Sequence, residues 1–346
     1  MKRRLRLADF DFELPVERIA QHPCPEREAA RMLVLDRQTS HRTHVQVRDL
    51  VAWLRPGDLL VANATRVEPA RLRGQKASGG AATALLLGPG ELPGQHRALL
   101  RCRGRLRVGQ KLRFERGAEG LDAELVALAA DGSVTLAFPA ERSPYSLGEA
   151  PLPPYIRRPA PEPADTLRYQ TVFAREPGSV AAPTAGLHLG RALLTRLRAA
   201  GVGWAEVVLH VGAGTFRPIG ESELGSGTLH AEAFHLPAHT ARCVAETHAK
   251  GGRVVAVGTT TTRVLETCAD GHGGVRAESG ETRLFMRPGA PFQVVDALLT
   301  NFHLPRSSLL LLVAAFAGRR RVLQTYAEAV AHGYRFYSYG DAMLIL

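Results

Sequence analysis

Two stretches separated by one short helical run, Val180-Ala-Ala-Pro-Thr-Ala-Gly-Leu-His188 and Leu209-His-Val-Gly-Ala-Gly-Thr-Phe-Arg217, decide the fold of this chain. Each holds a glycine-bearing turn and a histidine. His188 follows the turn Pro183 to Gly186, and His210 lies in the apolar run Val207 to Val211, which gives way to Gly212, Gly214 and Thr215. Together they bracket about one half of a βαβ unit, and in such units ligands lie at the carboxyl ends of parallel strands. Small residues such as Gly186 let a ligand approach the backbone, and the hydroxyls of Thr184 and Thr215 can cap a helix or bond a polar ligand atom. The same residues also suit ordinary turns around two core histidines, and the stretch by itself leaves both readings open.

Toward the C-terminus the strand–loop–helix unit recurs. Arg253 to Val257 reads as a strand, and Gly258-Thr-Thr-Thr-Thr262 opens a helix over Arg263 to Cys268. Val294 to Leu299 is a second strand, followed by Thr300-Asn-Phe-His-Leu-Pro305 and a helix over Leu309 to Ala317. On the N-terminal side the buried strand Leu59 to Ala62 runs straight into Asn63, Thr65 and Arg66. Polar residues just past an apolar strand are site candidates, although an edge-strand arginine can equally face water. Repeated units of this kind predict an α/β class with a mostly parallel sheet. Three strand-end loops then share one design: Gly212 to Thr215, Gly258 to Thr262 with Thr259 and Thr260, and Asn301 to His303. Each presents hydroxyls, an amide or an imidazole beside helix N-termini, which favour carboxylates and phosphates.

Between Lys76 and Ser146 the texture changes. Short apolar runs alternate with turns such as Pro89-Gly90 and Asp131-Gly132, a pattern that predicts a small antiparallel β-barrel or sandwich. Arg101, Arg103, Arg105 and Arg107 alternate there, as a basic strand surface or a solvated charged face. The proline-rich Pro151 to Pro163 leads back. The expected organisation is therefore a discontinuous α/β domain, 1–75 and 150–346, interrupted by an inserted barrel-like domain, 76–149.

Charge narrows the partner. The net charge is +11, and only four of the 44 basic residues are lysines (Lys2, Lys76, Lys111, Lys250). Arginine grips phosphate bidentately and stacks on bases, and a pI of about 10 fits the footprint of a nucleic-acid binder. Cys24, Cys102, Cys243 and Cys268 are scattered, so neither a zinc site nor a disulfide framework is expected. His188, His210, His230 and His303 lack H-x-x-x-H or carboxylate spacing, and no metal is expected. No third glycine completes a dinucleotide fingerprint after Gly214, and no P-loop occurs. In Leu229-His-Ala-Glu-Ala-Phe234 an extended backbone puts His230 and Glu232 on one side, as an acid–base pair or an opposed surface pair. The basic N-terminus is followed by Asp9 to Glu13 with no apolar core, and the longest aliphatic run, Leu309 to Ala317, falls well short of a membrane span. A cytoplasmic protein without a membrane segment is the expectation.

Seven blocks in order, Gly57 to Leu72, Tyr169 to Phe173, Ala181 to His188, Leu209 to Phe216, Ala256 to Thr260, Val295 to Pro305 and Tyr334 to Met343, resemble the S-adenosylmethionine:tRNA ribosyltransferase-isomerase family of queuosine biosynthesis. The chain departs from the family's usual residues at Ala64, Leu189, Leu229 and Ala233. The resemblance implies transfer and rearrangement of the ribosyl moiety of S-adenosylmethionine onto 7-aminomethyl-7-deazaguanine at the tRNA wobble position. The products are epoxyqueuosine-tRNA, adenine and methionine. It implies S-adenosylmethionine as co-substrate and no prosthetic group; a monomer is expected, with arginines of the α/β domain and the β-insertion holding the anticodon arm of the tRNA by its phosphates. On that chemistry His188, or failing it His210, is expected to take a C5′ proton beside the sulfonium. His303 or His230 would manage the amine or adenine proton. Arg66 would take the methionine carboxylate or a phosphate, and Glu232 or Asp296 the sulfonium or sugar hydroxyls. The competing classes are an S-adenosylmethionine-dependent tRNA methyltransferase and a non-catalytic RNA-binding protein.

Overall fold

The buried apolar runs form the centre of a nine-stranded sheet. In the computed structural model, which describes residues 5–346 except 159–161, 213 and 215–218, four parallel neighbours make that centre. They are β12 (Gly203–Leu209), β3 (Leu59–Asn63), β14 (Val254–Val257) and β16 (Ala297–Asn301). Antiparallel partners extend the sheet on both sides. β13 (Thr228–Leu236) and β15 (Glu278–Leu284) continue from β12. On the other side β17 (Ala342–Ile345) runs antiparallel to β16, β1 (Arg31–Leu35) parallel to β17, and β2 (Arg42–Gln46) closes the edge. The sheet is therefore mixed, with a parallel core and flanks that are antiparallel except for the parallel β17–β1 pair.

The central strands read as unbroken apolar runs because both faces are covered. Leu59, Val61, Val254 and Ala256 point into one core, with Val244 of α4 (Ala238–Ala249), Val264 and Leu265 of α5 (Thr259–Thr267), α6 (Ser308–Ala317) and α7 (Arg319–Ala331). Leu60, Ala62, Val255 and Val257 point into the other, against Leu193 and Leu197 of α2 (Arg191–Ala199). The remaining helices are short: α1 (Asp165–Arg168) and α3 (Glu221–Ser226). No helix among the described residues is long and apolar enough to cross a membrane.

After β3 the chain forms β4 (Thr65–Val67), which pairs in parallel with β11 (Glu176–Ser179). Between them lies a closed antiparallel barrel in the order β10-β7-β6-β5-β8-β9. Its strands are β5 (Arg71–Lys76), β6 (Ala81–Pro89), β7 (Gln95–Cys102), β8 (Lys111–Arg116), β9 (Glu119–Leu128) and β10 (Val134–Ala137), so the first starts at Arg71, ahead of position 76. Inward residues Ala84, Leu86, Ala98, Phe114 and Leu125 are fully buried and fill the barrel with side chains.

Candidate active site

The carboxyl ends of the four parallel strands meet beside the barrel, and each is fixed by its own local chemistry. β3 ends in Asn63, 1% exposed. Its amide nitrogen donates to the Leu209 carbonyl (2.9 Å) and Thr260 Oγ1 (3.3 Å), while its Oδ1 accepts the Leu209 and Thr65 N–H groups (3.0 and 3.1 Å). Asn63 therefore ties β3 to β12. β14 turns into α5 through Gly258 at φ 91°, ψ 159°, a conformation essentially confined to glycine. Thr259 and Thr260 thereby open α5 at the sheet's edge. β16 ends in Asn301, and His303 follows it.

Two hollows adjoin at this edge. The first, a cleft, is walled by Ala181 to Ala185, including Thr184, and by Gly258 to Thr260, Thr300, Asn301, His303 and the tyrosines 155, 169 and 337. Small residues from Ala181 to Ala185 leave the space that the tyrosine rings border. Asn301 is 2% exposed and its orientation is fixed: Nδ2 donates to the Tyr337 carbonyl (3.0 Å), which can only accept. The same Nδ2 lies 3.1 Å from His188 Nε2, so that nitrogen accepts and the His188 proton sits on Nδ1. Burial pulls the His188 pKa down to about 4 and that of His303 to about 3, so both are neutral near pH 7. His303 Nε2 is hydrogen-bonded to Thr300 Oγ1 at 2.9 Å.

The second hollow is a wide groove between the barrel and the sheet, bordered by Arg97 of β7, His210, Gly212, Gly214, His230, Glu232 and Arg283. His210 is half-buried, which lowers its pKa, and Nδ1 is 2.9 Å from Thr65 Oγ1. Gly178, at φ 127°, lets the backbone pass the imidazole: a Cβ there would come within 3.2 Å of the ring. His230 stands in a register shift of β13, the kind of bulge that re-aims a side chain. Its Nε2 is 3.3 Å from Glu232 Oε1. Glu232 also pairs with Arg263 Nη1 and accepts the Gly212 N–H at 3.0 Å. Burial opposes its charge, but the His230 hydrogen bond and the Arg263 charge outweigh that and hold the carboxyl at about 2. Arg263 borders the cleft and Glu232 the groove, and Val211 borders both, so the two hollows share one wall.

The candidates scatter more than a single pocket allows. Thr184, Thr259, Thr260, Asn301 and His303 border the cleft; His210, His230, Glu232, Gly212 and Gly214 border the groove. His188 borders neither: it lies behind Asn301, in a shallow recess with Arg27 and Tyr339. Asp296 precedes β16 at the opposite edge of the sheet, about 16 Å of strand from Asn301. There it pairs with His248 (2.8 Å) and accepts the Val254 N–H (2.8 Å), so it cannot reach either hollow. Thr65 is buried against His210, and Arg66 faces solvent from β4 without bordering the cleft or groove. Two of the glycines expected to admit ligand also stand in crowded positions. A Cβ at Gly186 would meet Phe173 and Thr171 at 2.8 and 2.9 Å, and one at Gly214 would meet the His230 ring at 2.6 Å. Thr215 lies outside the described residues. Sequence reading missed Arg263, the residue after the Gly258 to Thr262 loop, and the tyrosines 155, 169 and 337. The weak signal for Tyr337 was the clustering of aromatic residues in Tyr334 to Tyr339.

The chain is similar in sequence along its whole length to known proteins. A family model described as queuosine biosynthesis protein matches residues 7–345. The S-adenosylmethionine:tRNA ribosyltransferase-isomerase of Trichlorobacter lovleyi is 48% identical over 98% of this chain and 99% of its own. The protein of the same name from Moorella thermoacetica is 47% identical over 99% of this chain and 100% of its own. A crystal structure of S-adenosylmethionine tRNA ribosyltransferase from Thermotoga maritima superposes with a TM-score of 0.55 at 38% identity, covering 98% of this chain and 100% of that one.

Proposed function

This chain belongs to the queuosine biosynthesis protein family, and we propose that it carries out that family's reaction with the donor in the cleft and the RNA in the groove. It is an S-adenosylmethionine:tRNA ribosyltransferase-isomerase. It transfers and isomerises the ribosyl moiety of S-adenosylmethionine onto 7-aminomethyl-7-deazaguanine at the tRNA wobble position. Epoxyqueuosine-tRNA, adenine and methionine are the products.

The observation that carries the arrangement is the shared wall of Val211, Arg263 and Glu232. A donor in the cleft reaches over that wall with its sulfonium and C5′ toward the groove, where the base of an RNA is presented. Of the two histidines weighed for the C5′ proton, His210 has the access that His188 lacks. The Thr65 hydroxyl lies 3.4 Å from the Glu176 carbonyl and donates to it; His210 Nδ1–H then donates to the Thr65 oxygen, leaving a neutral Nε2 as the base. His188 acts through Asn301 as a positioning residue. His303, neutral at the cleft, offers a hydrogen bond to the departing base, and His230 manages the amine proton in the groove. The ionised Glu232 carboxylate faces the sulfonium and sugar hydroxyls, with Gly212 and Gly214 shaping its surroundings. Thr184, Thr259 and Thr260 bond polar donor atoms, and Thr215 remains a candidate for such a bond from the sequence alone. Arg66, outside both hollows, takes a tRNA phosphate.

The anticodon arm is held by its phosphates, with the target base drawn from its loop. The enzyme works as a monomer, with the barrel insertion, which begins with β5 at Arg71 and not at 76, as an RNA-holding domain inside the catalytic domain. Chromatography of spent donor after incubation with tRNA carrying the aminomethyl base tests the reaction: adenine and methionine appear. S-adenosylhomocysteine would mean a methyltransferase, and an unconsumed donor a non-catalytic RNA-binding protein. His210→Ala lowers adenine release at least about 100-fold, within the range for loss of a general base; near-normal release would remove His210 from that role.

A further inference from the structure

Asn301 holds an atom that no group among the described residues satisfies. Its Oδ1 is buried and receives no hydrogen bond among the described residues. The amide cannot be flipped to relieve this, because Nδ2 must donate to the Tyr337 carbonyl at 3.0 Å. His188 Nε2, at 3.1 Å, holds the same edge of the amide. A buried acceptor left unpaired is costly, and such a group signals a ligand when it borders a cavity. Asn301 borders the cleft, where the apolar surfaces of Ala181, Ala182, Val211, Leu309 and the Tyr169 ring suit a flat aromatic group and the hydroxyls of Thr184, Thr259, Thr260 and Thr300 share the lining.

We propose that Asn301 Oδ1 accepts a hydrogen bond from the exocyclic 6-amino group of the donor's purine, making Asn301 the residue that selects adenine over purines without that amine. The assignment rests on the reading that the donor's base occupies this cleft. The amine is the N–H donor of a flat base, whereas the ribose hydroxyls and methionine ammonium sit on its non-aromatic end. The RNA base enters from the groove, on the far side of the Arg263–Glu232 wall. His188 completes the device: with Nε2 as an acceptor it draws one Asn301 N–H, so the amide presents only its oxygen to the ligand.

The test uses the full-length wild-type enzyme and calorimetric binding of three ligands: S-adenosylmethionine, the analogue in which the 6-amino group is replaced by hydrogen, and the analogue lacking the ribose 2′-hydroxyl. Binding avoids differences in leaving-group chemistry between the bases. The analogue without the amine binds at least about tenfold more weakly than S-adenosylmethionine, the penalty of an unpaired buried acceptor. The 2′-deoxy analogue loses no comparable affinity in its place. In Asn301→Ala the ratio between the first two ligands collapses toward one. Equal wild-type affinity for donor and amine-free analogue overturns the proposal, as does a preference that survives in Asn301→Ala. If Asn301→Ala does not fold, the wild-type comparison still decides. Absence of any S-adenosylmethionine binding or consumption would instead sink the functional reading, so the two failures are distinct.

Discussion

His188 and His303 are imidazoles held neutral by burial, at about 4 and about 3, and that has a consequence for stability. In the unfolded chain each takes up a proton near pH 6.5, while in the folded chain each resists until far lower pH. The unfolded state therefore binds more protons between those values, and stability falls as pH falls. The His188 contribution is fully present above pH 6.5 and is lost as pH drops toward 4. Glu232 runs over a different window: held at about 2, its contribution is complete above its unfolded value near 4.5 and is lost as pH falls toward 2. We predict a melting temperature that declines from pH 6.5 to pH 4. His188→Gln, which keeps an acceptor for Asn301, makes that decline shallower by about one proton's worth of slope. Calorimetric melting of both proteins across this range checks it, and parallel curves would contradict the burial of a neutral His188.

At the scale of elements, the hinge between β14 and α5 deserves a specific test because it positions residues on both hollows. Gly258 adopts φ 91° with ψ 159°, and a Cβ there would stand 3.4 Å from Ala185. Gly258→Ala must carry backbone strain of about 1–3 kcal/mol or move α5. α5 brings Thr259 and Thr260 to the cleft, and Arg263 to Glu232, so either response disturbs both sites. The expected outcome is a lower melting temperature together with a KM for S-adenosylmethionine raised by about tenfold, the cost of roughly 1.4 kcal/mol in binding. Ordinary KM in a protein that melts lower would show that the strain is absorbed without moving α5. The glycines of the opening stretch carry a related lesson. Gly186 and Gly214 are needed because Phe173 and the His230 ring occupy the space where a Cβ would project. Their pattern in the sequence suited ligand approach or an ordinary turn; that a neighbour from another element fills the space is visible only in the structure.

Over the whole molecule the +11 charge is carried almost entirely by arginine. Arg97 and Arg283 border the groove and Arg101 is exposed on the outer face of β7, so phosphate contacts should dominate RNA affinity. We predict that tRNA binding weakens at least about tenfold between 50 and 200 mM salt, with little change for S-adenosylmethionine. Filter binding and calorimetry over that range would show it, and a flat tRNA curve would remove the phosphates from the account. The sequence by itself determined the α/β class, an antiparallel β-insertion left open between barrel and sandwich, and the strand-end loops, because apolar periodicity, turn residues and glycine spacing are local properties of the chain. It also carried the family resemblance, since seven ordered blocks are a linear pattern. Only the tertiary structure decided which of those loops share a hollow. Asp296 and Asn301 are five residues apart in sequence yet sit at opposite ends of a strand. His188 and Asn301 are 113 residues apart and hydrogen-bonded. Arg263 meets Glu232 across 31 residues through the packing of a helix on a sheet. Strand direction, helix packing and burial set those distances and proton affinities, and all three come from contacts between residues remote in the chain.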